Sequence, residues 1–175
     1  MQKYTHVRHL LELGCFARQL LHLLRCIRID PLRFLNNIPL MVQMIVKHEG
    51  ALRCKVIHEP TGTSFPTDAP LDNNGKGEVA SPTDLCAAAF GSCMATIIGM
   101  QMDKLGFDLT GTRVEVEKEM SKPKPRRIIK LSTEVWLPMK LDDKARHIVE
   151  LATKGCPVHR SLNPEIEKTI CFRWH

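Results

Sequence analysis

The sequence predicts an α+β protein in which antiparallel sheets pack on a long central helix. Short strand-like runs with alternating side chains lie before and after a long stretch of small and apolar residues, and an amphipathic helical segment precedes the last run. A chain of 175 residues, 43% hydrophobic and 25% charged, can bury a sizeable core as one domain.

Taken in order, Val42 to His48 and Ala51 to His58 read as a hairpin turned at Glu49-Gly50. From Pro60 to Gly77 the chain carries Thr61-Gly62-Thr63, Pro66, Pro70 and Asp72-Asn73-Asn74-Gly75, a long polar connection suited to rimming a site. The central helix has a strong start signal: Ser81 as cap, Pro82 at the first helical position and Asp84 where a capping box wants an acid. It runs through Ala87, Ala88, Ala89, Met94, Ala95, Ile97 and Ile98 to a stop near Gly106. Thr112 to Glu119 alternates Val114 and Val116 with Arg113, Glu115 and Glu117, and pairs with Ile128 to Leu137 as a second antiparallel unit. Asp142-Asp143 opens a helix with Ala145, Ile148, Val149 and Ala152 on one face, ending at Gly155. Ile166 to Trp174 returns as a final strand.

Residues 1–40 form an N-terminal extension apart from the domain expected over 41–175. They hold six Lys or Arg against two acids, so most of the net charge of +6 is N-terminal. Leucines mix there with Arg and His up to Asp30-Pro31, with no run of about 18 apolar residues of the kind that spans a membrane. Three readings stand: a transit-like amphipathic segment, an extra helix on the domain, or translation from a start upstream of the real one. The other basic cluster, Lys122-Pro123-Lys124-Pro125-Arg126-Arg127, is broken by prolines and has no interleaved aromatics. It reads as a solvated hairpin loop rather than a nucleic-acid surface.

Seven cysteines, with neither zinc spacing nor a small disulfide framework, place the protein in a reducing cytoplasm. Cys15 and Cys26 lie in the extension, Cys54 and Cys171 in strand-like runs, and Cys86 reads as a core residue two turns before Cys93. Two cysteines have contexts suited to chemistry. Cys93 is carried about three turns into the apolar helix, where a reactive thiol needs a cation or amide donor from elsewhere. Cys156 precedes Pro157 and falls at a helix N-cap, where free amides and the helix dipole favour a thiolate. The expectation is therefore one buried thiol and one poised, low-pKa thiol. His159 follows Cys156 by three, a spacing open to metal binding, but no second ligand pair completes a zinc shell. Neither a G-x-S-x-G elbow nor a phosphate-cradling glycine loop is present.

Ser81-Pro82-Thr83-Asp84-Leu85 leading to Gly91-Ser92-Cys93, then Gly155-Cys156-Pro157-Val158, resembles the OsmC/Ohr family of osmotically induced and organic hydroperoxide resistance proteins, in its OsmC-like branch. The resemblance runs from about Leu52 to Trp174 and implies an intertwined dimer, with long helices sandwiched by sheets and sites at the subunit interface. It implies a thiol peroxidase in which Cys93 attacks a hydroperoxide and Cys156 captures the sulfenic acid as a disulfide, reset by an external dithiol. Active members pair the helix cysteine with an arginine from an N-terminal strand and a glutamate at the helix start; carried over, these roles fall on Arg53 and Asp84. Neither a metal nor an organic cofactor, and neither a nucleic acid nor a membrane partner, is implied. The competing reading is a small-ligand-binding or stress protein without peroxidase activity, in which Cys93 only packs. A third makes the basic surface an interaction module.

Overall fold

The computed structural model describes residues 41–122 and 124–174. The readings placed on residues 1–40, with Cys15 and Cys26, lie outside that range. The described chain forms two three-stranded sheets, a long helix and two shorter ones.

The first sheet takes its strands in chain order: β1 (Met44–Gly50), β2 (Arg53–His58) and β3 (Ser64–Asp68). The turn between β1 and β2 sits at Ala51-Leu52, two residues beyond Glu49-Gly50. Both residues have positive φ, 48° and 60°, as a tight two-residue hairpin loop demands. β3 lies inside the segment expected to be loop, pairing antiparallel with β2 from Arg53↔Asp68 to Ile57↔Ser64. Pro66 argues against a strand because it cannot donate to a ladder, but β3 is the sheet edge, where that loss is tolerated. The chain then folds back through a 3₁₀ turn at Leu71–Asn73. A Cβ on Gly75 would lie 1.7 Å from the Ala69 carbonyl oxygen, so only glycine fits there.

α1 (Pro82–Asp103) starts at the predicted cap: Ser81 Oγ accepts from the Asp84 amide, and the Asp84 carboxylate accepts from the Ser81 amide at 2.7 Å. By length and composition alone α1 would suffice to cross a bilayer. Its face of Phe90, Met94, Ile98 and Met102, completely buried, forms the centre of the core with Leu131, Val135 and Val149. The opposite face, Cys86, Ala89, Ser92, Thr96 and Met100, is exposed.

The second sheet is ordered β4 (Arg113–Met120), β5 (Ile128–Trp136), β6 (Glu167–Arg173). β4 and β5 pair antiparallel as expected, whereas β6 joins β5 in parallel. The reason lies in the connection: the chain crosses over through α2 (Asp143–Lys154) and α3 (Pro157–Ser161), and a crossover of that length returns a strand in the same direction. α2 is capped by Asp142, whose Oδ1 accepts from the Ala145 amide at 2.7 Å, and ends at Gly155. α1 rests on β4 at Gly91, where a Cβ would stand 2.9 Å from Val116 Cγ2.

Candidate active site

α1 and the β5–β6 crossover bring two thiols together. Cys93 sits midway along α1, and Cys156 is the N-cap of α3, with Pro157 at the first helical position. Cys156 Sγ accepts from the His159 amide at 3.5 Å, and the Cys93 side chain lies near enough to act on the Cys156 thiol. Sequence spacing is silent on this contact; the fold makes it.

The environments of the two thiols are the reverse of those expected. Cys156 is completely buried and Cys93 half-buried. Burial pushes the Cys156 thiol above its ordinary pKa, the neighbouring Cys93 adds to that, and the His159 amide opposes it without prevailing. The expected low-pKa Cys156 is thus corrected to a thiol that keeps its proton. α3 has five residues, too few peptide dipoles to offset the loss of water.

The His159 ring stacks on Phe90 with centroids 5.8 Å apart and planes 27° apart. Burial lowers its pKa, and the nearby Lys168 and Arg160 lower it further, so the ring is neutral at neutral pH. Among the described residues no three His, Cys, Asp or Glu side chains converge as a metal site would require.

Arg53 and Asp84 each engage charged partners of their own. Arg53 points to the carboxylates of Glu78 and Asp68, the latter at 3.6 Å. Asp68 is itself fully buried; burial alone would raise its pKa, but the Glu78 amide and the Arg53 charge outweigh that and lower it. Asp84 lies nine residues before Cys93, which at 100° per residue puts the two side chains on opposite faces of α1. It closes the capping box and accepts from Lys118 Nζ at 2.6 Å. Burial alone would raise its carboxyl, but the Lys118 and Ser81 hydrogen bonds and the Lys118 charge hold it at about 2.

Lys118 is the charged residue that the sequence reading passed over. It also donates to Thr83 Oγ1 at 2.8 Å, and its side chain is 14% exposed. The β4 alternation that turns Val114 and Val116 inward turns Lys118 inward too, so the signal was present. Lys118 and Asp84 close one end of a cleft of about 550 Å³ between α1 and β4, walled by Ala88, Gly91, Ala95 and Val116. The helix stripe that lines it faces away from Cys93.

The remaining features of the sequence fall elsewhere. Cys86, expected in the core, is exposed; Cys54 is half-buried on β2, and Cys171 is exposed on β6. In the basic run, Arg126 pairs with Asp72 at 2.7 Å and Arg127 with Glu165 at 2.8 Å, as a structured β4–β5 connection requires.

Residues 75–170 match the sequence family described as OsmC-like protein. A structure from Psychrobacter arcticus, whose name ties it to osmotic stress induction and detoxification response, is 37% identical. It aligns over 78% of this chain and 99% of its own, with a TM-score of 0.73. The organic hydroperoxide resistance protein OsmC of Legionella pneumophila shares the fold at 16% identity and a TM-score of 0.61, over 74% of this chain and 96% of that one. The organic hydroperoxide resistance protein of Elizabethkingia anophelis does so at 15% identity and 0.65, over 79% and 99%. No curated protein matches the chain.

Proposed function

The chain belongs to the OsmC-like protein family, and from that premise we propose that it is a thiol-dependent peroxidase working through Cys93 and Cys156. The single observation that carries the reading is that the fold makes these two thiols neighbours, one half-buried and reachable, the other fully buried. Cys93 attacks the terminal oxygen of a hydroperoxide. The O–O bond breaks, an alcohol leaves, and Cys93 becomes a sulfenic acid. The Cys156 sulfur then displaces the sulfenic oxygen, and its own proton leaves with that oxygen as water. Cys156 attacks as its sulfur gives up the proton, so its raised pKa slows this step and the proton is passed to the departing hydroxide as the S–S bond forms. An external dithiol of the reducing cytoplasm returns the disulfide to two thiols.

The cation that activates Cys93 is assigned to Arg53 acting between two copies of the chain. The exposed stripe of α1, with Ala89, Ser92 and Thr96, is shaped for close contact with a second helix. In a homodimer built on it, Arg53 of one copy serves the thiols of the other. The pairing of Arg53 with Asp68 and Glu78, and of Asp84 with Lys118 at the cleft, favours a second reading, an OsmC-like protein that binds a small ligand in the α1–β4 cleft without reducing peroxides.

Peptide mass mapping after one equivalent of an organic hydroperoxide separates the two. The expected product is a Cys93–Cys156 disulfide that forms quickly and is absent in Cys93→Ser. If both thiols stay reduced, or oxidise no faster than Cys54, the peroxidase reading fails.

A further inference from the structure

Each thiol of the pair lies three residues from one member of an aromatic stack. Phe90 precedes Cys93 by three on α1, His159 follows Cys156 by three in α3, and the two rings face each other at 5.8 Å. Phe90 is completely buried, so this side of the stack is fixed to the core. The other side needs fixing. α3 is a five-residue helix, too short to hold its shape alone. Its own grip on Cys156 Sγ is one long contact, from the His159 amide at 3.5 Å. Val158 and Leu162 pack α3 onto the core, and the His159 ring meets the helix carrying Cys93 at Phe90. Burial, with Lys168 and Arg160 close by, keeps the imidazole uncharged, so it stacks as an aromatic ring.

We propose that the Phe90–His159 stack is a clasp that sets Cys156 against Cys93, which makes His159 a positioning residue of the dithiol site. The inference rests on the two-cysteine reading and adds to it: closure of the disulfide depends on an aromatic contact outside the two cysteines. Losing the contact lowers the effective concentration of one thiol at the other. The sulfenic acid on Cys93 then lives longer and is open to further oxidation to sulfinic acid.

The test equilibrates the full chain with mixtures of glutathione and glutathione disulfide, and follows Cys93–Cys156 by mass mapping. In this exchange the protein dithiol gives its electrons to glutathione disulfide, yielding the protein disulfide and two glutathiones, so no peroxide is required. His159→Ala is expected to make the disulfide about five- to tenfold easier to reduce, a shift of about 20–30 mV for a two-electron couple. His159→Phe, which keeps the ring, is expected to restore the wild-type value to within about twofold, in line with the modest energy of an aromatic pair. His159→Leu fills the same space without a ring and is expected to behave like His159→Ala; it carries the test should the alanine variant not fold. Unchanged equilibria in His159→Ala or His159→Leu, or a failure of His159→Phe to restore them, would overturn the clasp while leaving the two-cysteine cycle standing. A wild-type chain that forms no Cys93–Cys156 disulfide anywhere in the series would end the two-cysteine reading itself, and the clasp with it.

Discussion

At the scale of single residues, the charges around α1 make the sharpest predictions. Asp84 is held at about 2 by Lys118 and Ser81, so its ionised form stabilises the native chain at any pH above its ordinary value near 4. That contribution disappears as pH falls through about 2. The stability gap between wild type and Asp84→Asn, measured by urea unfolding, is therefore expected to be full at neutral pH and to close between about pH 4 and 2. In Lys118→Met the Asp84 carboxyl is expected to titrate higher than in wild type, an NMR observable that leaves the capping box in place. Ser81→Ala removes the cap itself and is expected to cost about 1–2 kcal/mol. These contacts were half legible in the sequence. Ser81, Pro82 and Asp84 are neighbours in the chain, so local chemistry announced them, whereas Lys118 arrives from β4 across 34 positions. The same limit explains Cys156. Its place at a helix start can be read from the proline that follows, but the burial that reverses its expected acidity comes from tertiary packing.

At the scale of elements, legibility followed how local the cause was. Both longer helices have their signals within a few residues of their ends, and their observed limits fall close to the expected ones. β3 was hidden by Pro66 and a polar surround, because an edge strand needs only half of its backbone groups paired. The direction of β6 follows from its crossover, which pairs residues more than thirty positions apart, such as Lys130 with Glu167. The contact between α1 and β4 gives a prediction of its own. With Val116 Cγ2 only 2.9 Å from a Cβ on Gly91, Gly91→Leu is expected to force α1 and β4 apart at a cost of about 1–3 kcal/mol. Val116→Ala in the same chain should recover part of it, and a double-mutant cycle in denaturant measures that coupling.

At the scale of the whole molecule, α1 is a helix with one face completely buried and the other left open, which is where a second copy is expected. Sedimentation equilibrium should return twice the chain mass for wild type, and Thr96→Arg, a large charge in the middle of that stripe, should shift it towards one chain. Closing the Cys93–Cys156 disulfide would tie residues about sixty positions apart, so by loop entropy the oxidised chain should resist denaturant more than the reduced one, by up to about 4 kcal/mol. The parallel β5–β6 pairing also has a bearing on how the chain is made. Synthesis delivers Cys93 well before Cys156, and the crossover that seats Cys156 has no strand to close against until β6 emerges. A nascent chain, or one cut before β6, therefore carries Cys93 without a seated Cys156. On the proposed two-cysteine cycle, peroxide stress during translation should mark new chains with irreversibly oxidised Cys93 while sparing the mature pool, a difference that mass mapping of pulse-labelled and older chains measures.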